Sequence, residues 1–293
     1  MNIIIPADTS KTLTFDLALN TSDSDISPAT SQANVQLELD KIKYENSLGE
    51  EISDSGPGPQ NNDPDANNLY VYKSIPLFTY VDLGDNNKIY NGSSTKLYSF
   101  KVKADSAGDV SLKQLKFGLN WDNNNSSSLV LDTFKLKRDS EWITTVVDIQ
   151  DVLGNSLEST TNTVTPSHSA AVFTFDTEET IPAGKEKTYS VYARPSGFQY
   201  SSTSGHDTVV INLKGGSDES AHNGSNRYLV DNATTSLFAL NSTYSGDGTG
   251  YDVIWSDNSS IYHSYTADNA YSDWANSWLV LDLPLDGEAW QGQ

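Results

Sequence analysis

Oxygen donors crowd three short stretches: Asp82-Leu83-Gly84-Asp85-Asn86, Asp122-Asn123-Asn124-Asn125 and Asp247-Gly248-Thr249-Gly250-Tyr251-Asp252. Carboxylates and amide carbonyls at such spacing suit a hard cation. The glycines of the last stretch permit the tight turn that would bring Asp247 and Asp252 together. Asp82, Asp85, Asp122, Asp247 and Asp252 are therefore candidate ligands for Ca2+, the cofactor the residues suggest. The same residue types also cap their own backbones in Asx turns. No EF-hand loop closes on its terminal glutamate.

Other chemistry is sparse. His168, His206, His222 and His263 lie far apart in turn-rich sequence, without a His-x-x-x-His or His–Glu pairing that would hold zinc. A Gly-x-Ser-x-Gly nucleophile elbow and a phosphate-cradling glycine loop are both missing from the sequence. Carboxylates are too numerous to single out a glycosidase pair. The chain is expected not to be an enzyme.

Toward the C-terminus Trp255, Tyr262, Tyr265, Tyr271, Trp274, Trp278 and Trp290 follow one another closely. Flat rings among Asp and Asn could stack on sugars, with Trp255, Tyr262 and Trp274 the candidates and cell-surface glycans the partner. Core packing or a subunit interface would use the same rings.

Charge narrows the partners. The 293 residues carry 39 acidic and 18 basic side chains, a net −21. Such a field repels phosphate backbones, so nucleic acid is not an expected partner. Cysteine is absent, which removes disulfides and thiolate chemistry. No run of eighteen apolar residues is present to make a spanning helix. Six Trp, fifteen Tyr and nine Phe supply ample apolar area for a core, against 19% charged residues. This polar but weakly charged profile suits a β-rich extracellular protein.

The elements that would hold these residues are strands. Period-two alternation recurs over Thr12–Leu19, Asn34–Tyr44, Leu97–Lys103, Val110–Leu119, Leu129–Leu136 and Ile143–Ile149. It continues over Ala171–Phe175, Thr188–Ala193, Thr208–Leu213, Tyr251–Trp255 and Trp278–Leu283. In Leu97–Lys103 the pattern turns Tyr98, Phe100 and Val102 to a core and Ser99, Lys101 and Lys103 to water. A phase change at Gln114 predicts a β-bulge. The best helix candidate is the short stretch 267–274. Ser53–Asn68, rich in Gly, Pro and Asn, cannot form a regular element and divides residues 1–68 from 69–293.

One phrase returns. Ile5-Pro6-Ala7-Asp8 through Lys11-Thr12 is echoed by Ile181-Pro182-Ala183-Gly184 through Lys187-Thr188, and Val35–Leu39 by Val209–Leu213 at nearly the same offset. In the second copy long strand-like sequence precedes the phrase; in the first, almost nothing does. The first unit is therefore expected to be incomplete.

The block Asn91–Leu112, the Ile181–Gly184 phrase, and the end from Ile254-Trp255-Ser256-Asp257 through Asp273-Trp274-Ala275-Asn276 to Leu279–Pro284 carry a resemblance. They resemble repeat domains of large cell-surface proteins from candidate-phyla (Parcubacteria-like) bacteria. The resemblance implies immunoglobulin-like β-sandwich domains, an extracellular location and no enzymatic activity. Taken with the incomplete first unit, it makes the chain a self-associating subunit of a surface filament, pilus-like fibre or surface layer. A missing strand would come from a neighbouring copy, with Ile3-Ile4-Ile5 or Trp278-Leu279-Val280-Leu281 as candidate donors. The alternative is a carbohydrate-binding or adhesin module of a longer surface protein.

Overall fold

The structure, a computed structural model, describes residues 34–35, 42–45, 48–54, 69–70 and 72–293, together with Thr9, Thr12 and Thr14. Within the last range it leaves out 85–86, 126–127, 144–146, 153, 167–169, 216–251, 260–273 and 278–279. Among the described residues every regular element is a strand.

The first strands are β1 (Asn34–Val35), β2 (Ile42–Glu45), β3 (Glu51–Asp54), β4 (Leu69–Tyr70), β5 (Pro76–Tyr80) and β6 (Lys88–Ile89). Next come β7 (Thr95–Ala104), β8 (Val110–Asp122), β9 (Val130–Arg138), β10 (Glu141–Trp142), β11 (Val147–Asp151) and β12 (Ala170–Ile181). The chain continues with β13 (Glu186–Ser196), β14 (Tyr200–Ser201), β15 (Gly205–His206) and β16 (Thr208–Leu213). It ends with β17 (Ile254–Ser256), β18 (Trp274–Ala275) and β19 (Glu288–Gly292).

Two sheets dominate. One runs β10-β9-β13-β7-β5 and is antiparallel throughout. The other runs β11-β12-β8-β16-β19-β6, where β19 and β6 are parallel, and β17 continues the edge of β8 beyond the end of β16. Their apolar faces meet in one core, the layered arrangement of a β-sandwich. Tyr98 and Phe100 of β7 reach Phe117 of β8 at ring distances of 5.9 and 5.8 Å, and Phe134 of β9 reaches Phe173 of β12 at 6.3 Å.

Alternation accounts for most of this. Tyr98, Phe100 and Val102 are buried and Lys103 stands in water, as their parity requires, but Ser99, expected in water, is buried, its hydroxyl 3.0 Å from both Tyr189 O and Ser190 Oγ. Leu97 breaks the parity and is nonetheless buried, because the pairing with β13 skips from Tyr98 to Lys96 and leaves Leu97 as the extra residue of a bulge. The bulge expected at Gln114 is present: the partners of β8 step from Gln114 to Leu112 on both β12 and β17. Another lies in β9, where Thr133 has a φ of 51°.

The Ile181–Gly184 phrase forms the β12–β13 turn. Lys185 N–H donates to Pro182 O at 2.9 Å, and Gly184 takes a φ of 67° that a side chain would strain.

Some expectations need amendment. Residues 280–283, expected to lie in a strand, turn at Leu281–Asp282, where Asp282 has a φ of 67°. The final strand is instead β19, which the weak alternation of Glu288–Gly292 does not announce. Trp274, placed in a short helix by the sequence, pairs in β18 with β17. The Thr12–Leu19 strand and the first echo phrase lie outside the described residues, apart from exposed Thr9, Thr12 and Thr14. β2 and β3 form a hairpin. β1 pairs with β4, across the division drawn at residue 68.

Candidate functional site

The predicted cation ligands are scattered. Asp82 is exposed and accepts the Gly84 N–H at 2.8 Å, an Asx turn. Asp122 is exposed at the end of β8, opposite Thr208. Asp252 is buried, with its carboxylate 3.0 Å from Lys116 Nζ. Asp85 and Asp247 lie outside the described residues. In the Asp122–Asn125 stretch the amides pin a loop: Asn124 Nδ2 donates to His206 O and Asn125 Nδ2 to Gly205 O, at 2.8 and 2.6 Å. His206 Nδ1 in turn lies 2.6 Å from Gly292 O.

Two of the three rings of the expected sugar platform are buried. Trp255 is 1% exposed and Trp274 is fully buried, so neither ring can stack on a glycan. Trp255 packs on Tyr72 at 5.1 Å and donates its indole N–H to Asn276 O at 2.8 Å. Tyr262 lies outside the described residues. So do Ile3, Ile4, Ile5, Trp278 and Leu279 among the candidate donor positions. Val280 packs partly on the core, and Leu281 is exposed at the turn. From there the chain returns to its own sandwich, with Leu285 N–H donating to Leu213 O at 3.1 Å.

The buried carboxylates, which no motif in the sequence marks, tie the sheets together. Glu179 of β12 accepts Arg138 Nη1 at 2.8 Å, Lys187 Nζ at 2.6 Å and the Tyr189 hydroxyl at 3.0 Å, all three from the opposite sheet. Burial, then the Glu179 charge and hydrogen bond, push the Tyr189 hydroxyl pKa well up. In the same row, two strands across the sheet, the Tyr80 hydroxyl bonds Glu288, and burial followed by that contact raises its pKa as well. Backbone carbonyls add two more ties: Trp290 Nε1–H donates to Leu97 O at 2.8 Å and the Tyr98 hydroxyl to Asp286 O at 2.7 Å.

The outer face of the five-stranded sheet is different in kind. Register places Trp142, Lys137, Ser190 and Ser99 in one row across it, and Lys135, Tyr192 and Lys96 in the next. Further rows hold Thr188, Lys101 and Thr79, then Glu186, Lys103 and Leu77. With Arg194, six of the 18 cationic side chains thus gather on one face of an acidic molecule. Lys101 pairs with Glu186 at 2.8 Å, and Arg194 forks onto Asp132 through two 2.8 Å bonds. Lys96, Lys103, Lys135 and Lys137 have no carboxylate partner among the described residues. At the β10 corner Trp142 is 50% exposed and meets Tyr192 edge-on at 4.8 Å. Lys137 and Lys135 Nζ stand 5.4 and 5.9 Å from its ring centre.

No protein-family model matches the chain, and no curated protein matches it.

Proposed function

We propose that the chain is a structural, non-enzymatic protein of the cell exterior. In this reading it has immunoglobulin-like β-sandwich architecture and is a subunit of a filament, fibre or surface layer joined by β-strand contacts between copies. The observation that carries the reading is the edge of β5. This strand pairs with β7 alone among the described strands. Asp105 N–H donates to Ile75 O and Val81 N–H to Ser99 O, so the two-residue alternation of an antiparallel ladder aims Leu77 and Thr79 inward too. The peptide groups of Pro76, Phe78 and Tyr80 face the open edge. Proline fits there because its missing N–H costs the ladder nothing. Ile75 and Leu77 stand 46% and 42% exposed beside that edge. Pro76 blunts one position of this edge, and the Phe78 and Tyr80 peptide groups, unpaired with any other described strand and flanked by apolar Ile75 and Leu77, remain a template for another strand.

Residues 280–285, the described part of the 278–285 candidate, return to their own sandwich, which makes the Ile3-Ile4-Ile5 segment the favoured donor. Light scattering and negative-stain microscopy of the full chain test the reading. Polymers are expected, and deletion of residues 1–6 should shorten them to monomers. Unchanged polymer length after that deletion removes the first segment as donor, and a chain that stays monomeric at high concentration removes the function.

A further inference from the structure

The basic corner around Trp142 lies on the sheet face, away from the β5 edge, and strand exchange has no use for it. An exposed indole offers a flat apolar surface of the kind on which the C–H face of a pyranose stacks. Two ammonium groups, those of Lys135 and Lys137, lie over this ring at 5.9 and 5.4 Å from its centre, and their flexible stems let them turn from the indole to the acidic substituent of a sugar that takes their place on it. Tyr192 braces the indole from the side, Ser190 continues the surface along the row of Trp142, and Lys96 continues it along the next. We infer that this corner binds an acidic glycan, with a uronic-acid pyranose lying on Trp142 and its carboxylate between Lys135 and Lys137.

Charge decides the occupant. Four lysines on the face have no carboxylate partner among the described residues, which favours an anion over a neutral sugar. A second copy of this chain would bring its own net −21, and a long phosphate polymer would run off the basic face into the acidic remainder. A short oligosaccharide stays within a Debye length of the lysines, about 8 Å at physiological salt, and feels mainly their field.

Titration of the full chain with an oligogalacturonate and with a neutral gluco-oligosaccharide of equal length tests this, read by tryptophan fluorescence and calorimetry. The acidic sugar is expected to bind, and the neutral one about tenfold more weakly or not at all. Trp142→Ala should weaken binding about tenfold, and Lys135→Ala with Lys137→Ala about fivefold while flattening its salt dependence. These side chains are surface groups, so an unchanged melting temperature confirms that the variants are folded. Equal binding of both sugars, indifference to the variants, or no binding of the acidic sugar overturns the proposal. So does a change in particle mass on Trp142→Ala without sugar, which would assign the corner to contact between copies. These outcomes leave polymer formation by the edge strands as a separate question.

Discussion

At the scale of single residues, Glu179 is where the two sheets depend most on one side chain. Removing one partner of a buried ion pair typically costs about 3–5 kcal/mol. Arg138 and Lys187 keep some contact with water, so Glu179→Ala should cost about 3 kcal/mol in a urea titration, near the lower end of that range. A loss no larger than a surface substitution would show that the tie is dispensable. Asp148 provides the opposite sign. Burial and then the nearby Asp176 charge raise its pKa, so the folded state holds its proton more tightly than the unfolded chain does. Stability from this group is fully present below the ordinary aspartate value and is lost as pH rises through the raised one. Asp148→Asn should therefore stabilise the protein at neutral pH and change little in strong acid. Asp132 runs the other way: burial pushes its pKa up, but the Arg194 and Thr133 hydrogen bonds and the Arg194 charge outweigh burial and hold it low. Its contribution is present above the ordinary aspartate value and disappears as pH falls through the lowered one. Calcium enters at this scale too. Asp82 is committed to a turn and Asp252 to Lys116, so a chelator is expected to leave the melting temperature where it is. A drop on chelation would restore the Asp247–Asp252 stretch as a cation site.

At the scale of elements, β5 makes the sharpest claim. Natural edge strands are protected by charge, and Leu77 stands exposed where a lysine would serve. Leu77→Lys should reduce polymer formation in light scattering while leaving the monomer's stability within about 0.5 kcal/mol. Polymers of unchanged length would move the contact to another edge. How well the elements could be read depends on what their neighbours do. The core face of β7 was legible because one side of that strand meets water, and the β8 bulge was legible as a break in phase. β8 itself hides its exposure pattern: Val110 through Leu119 are all buried, Lys113 and Lys116 included, because strands flank both its edges and polar partners reach its outer residues. The aromatic cluster misled for a related reason. A Trp beside Asp and Asn has the same composition whether it caps a core or faces a glycan, and only tertiary packing separates Trp255 from Trp142. The basic sheet face was equally invisible, since Lys96, Lys135 and Tyr192 come from three strands that only the register brings into one row.

At the scale of the whole molecule, charge gives the two proposed contacts opposite responses to salt. Copies carrying −21 each repel one another, and β-strand pairing at an edge must work against that field. Raising ionic strength from 0.01 to 0.15 M shortens the Debye length from about 30 to about 8 Å, which removes most of the long-range repulsion and leaves short-range backbone pairing intact. Self-association should therefore strengthen with added salt. Attraction between the Lys135–Lys137 corner and an acidic sugar is itself electrostatic and exposed, so the same change should weaken it. Light scattering and sugar titration on one preparation, across one salt series, would read both slopes. If polymers dissolve as salt is added, the copies are held by opposite charges, and the edge of β5 is not what joins them.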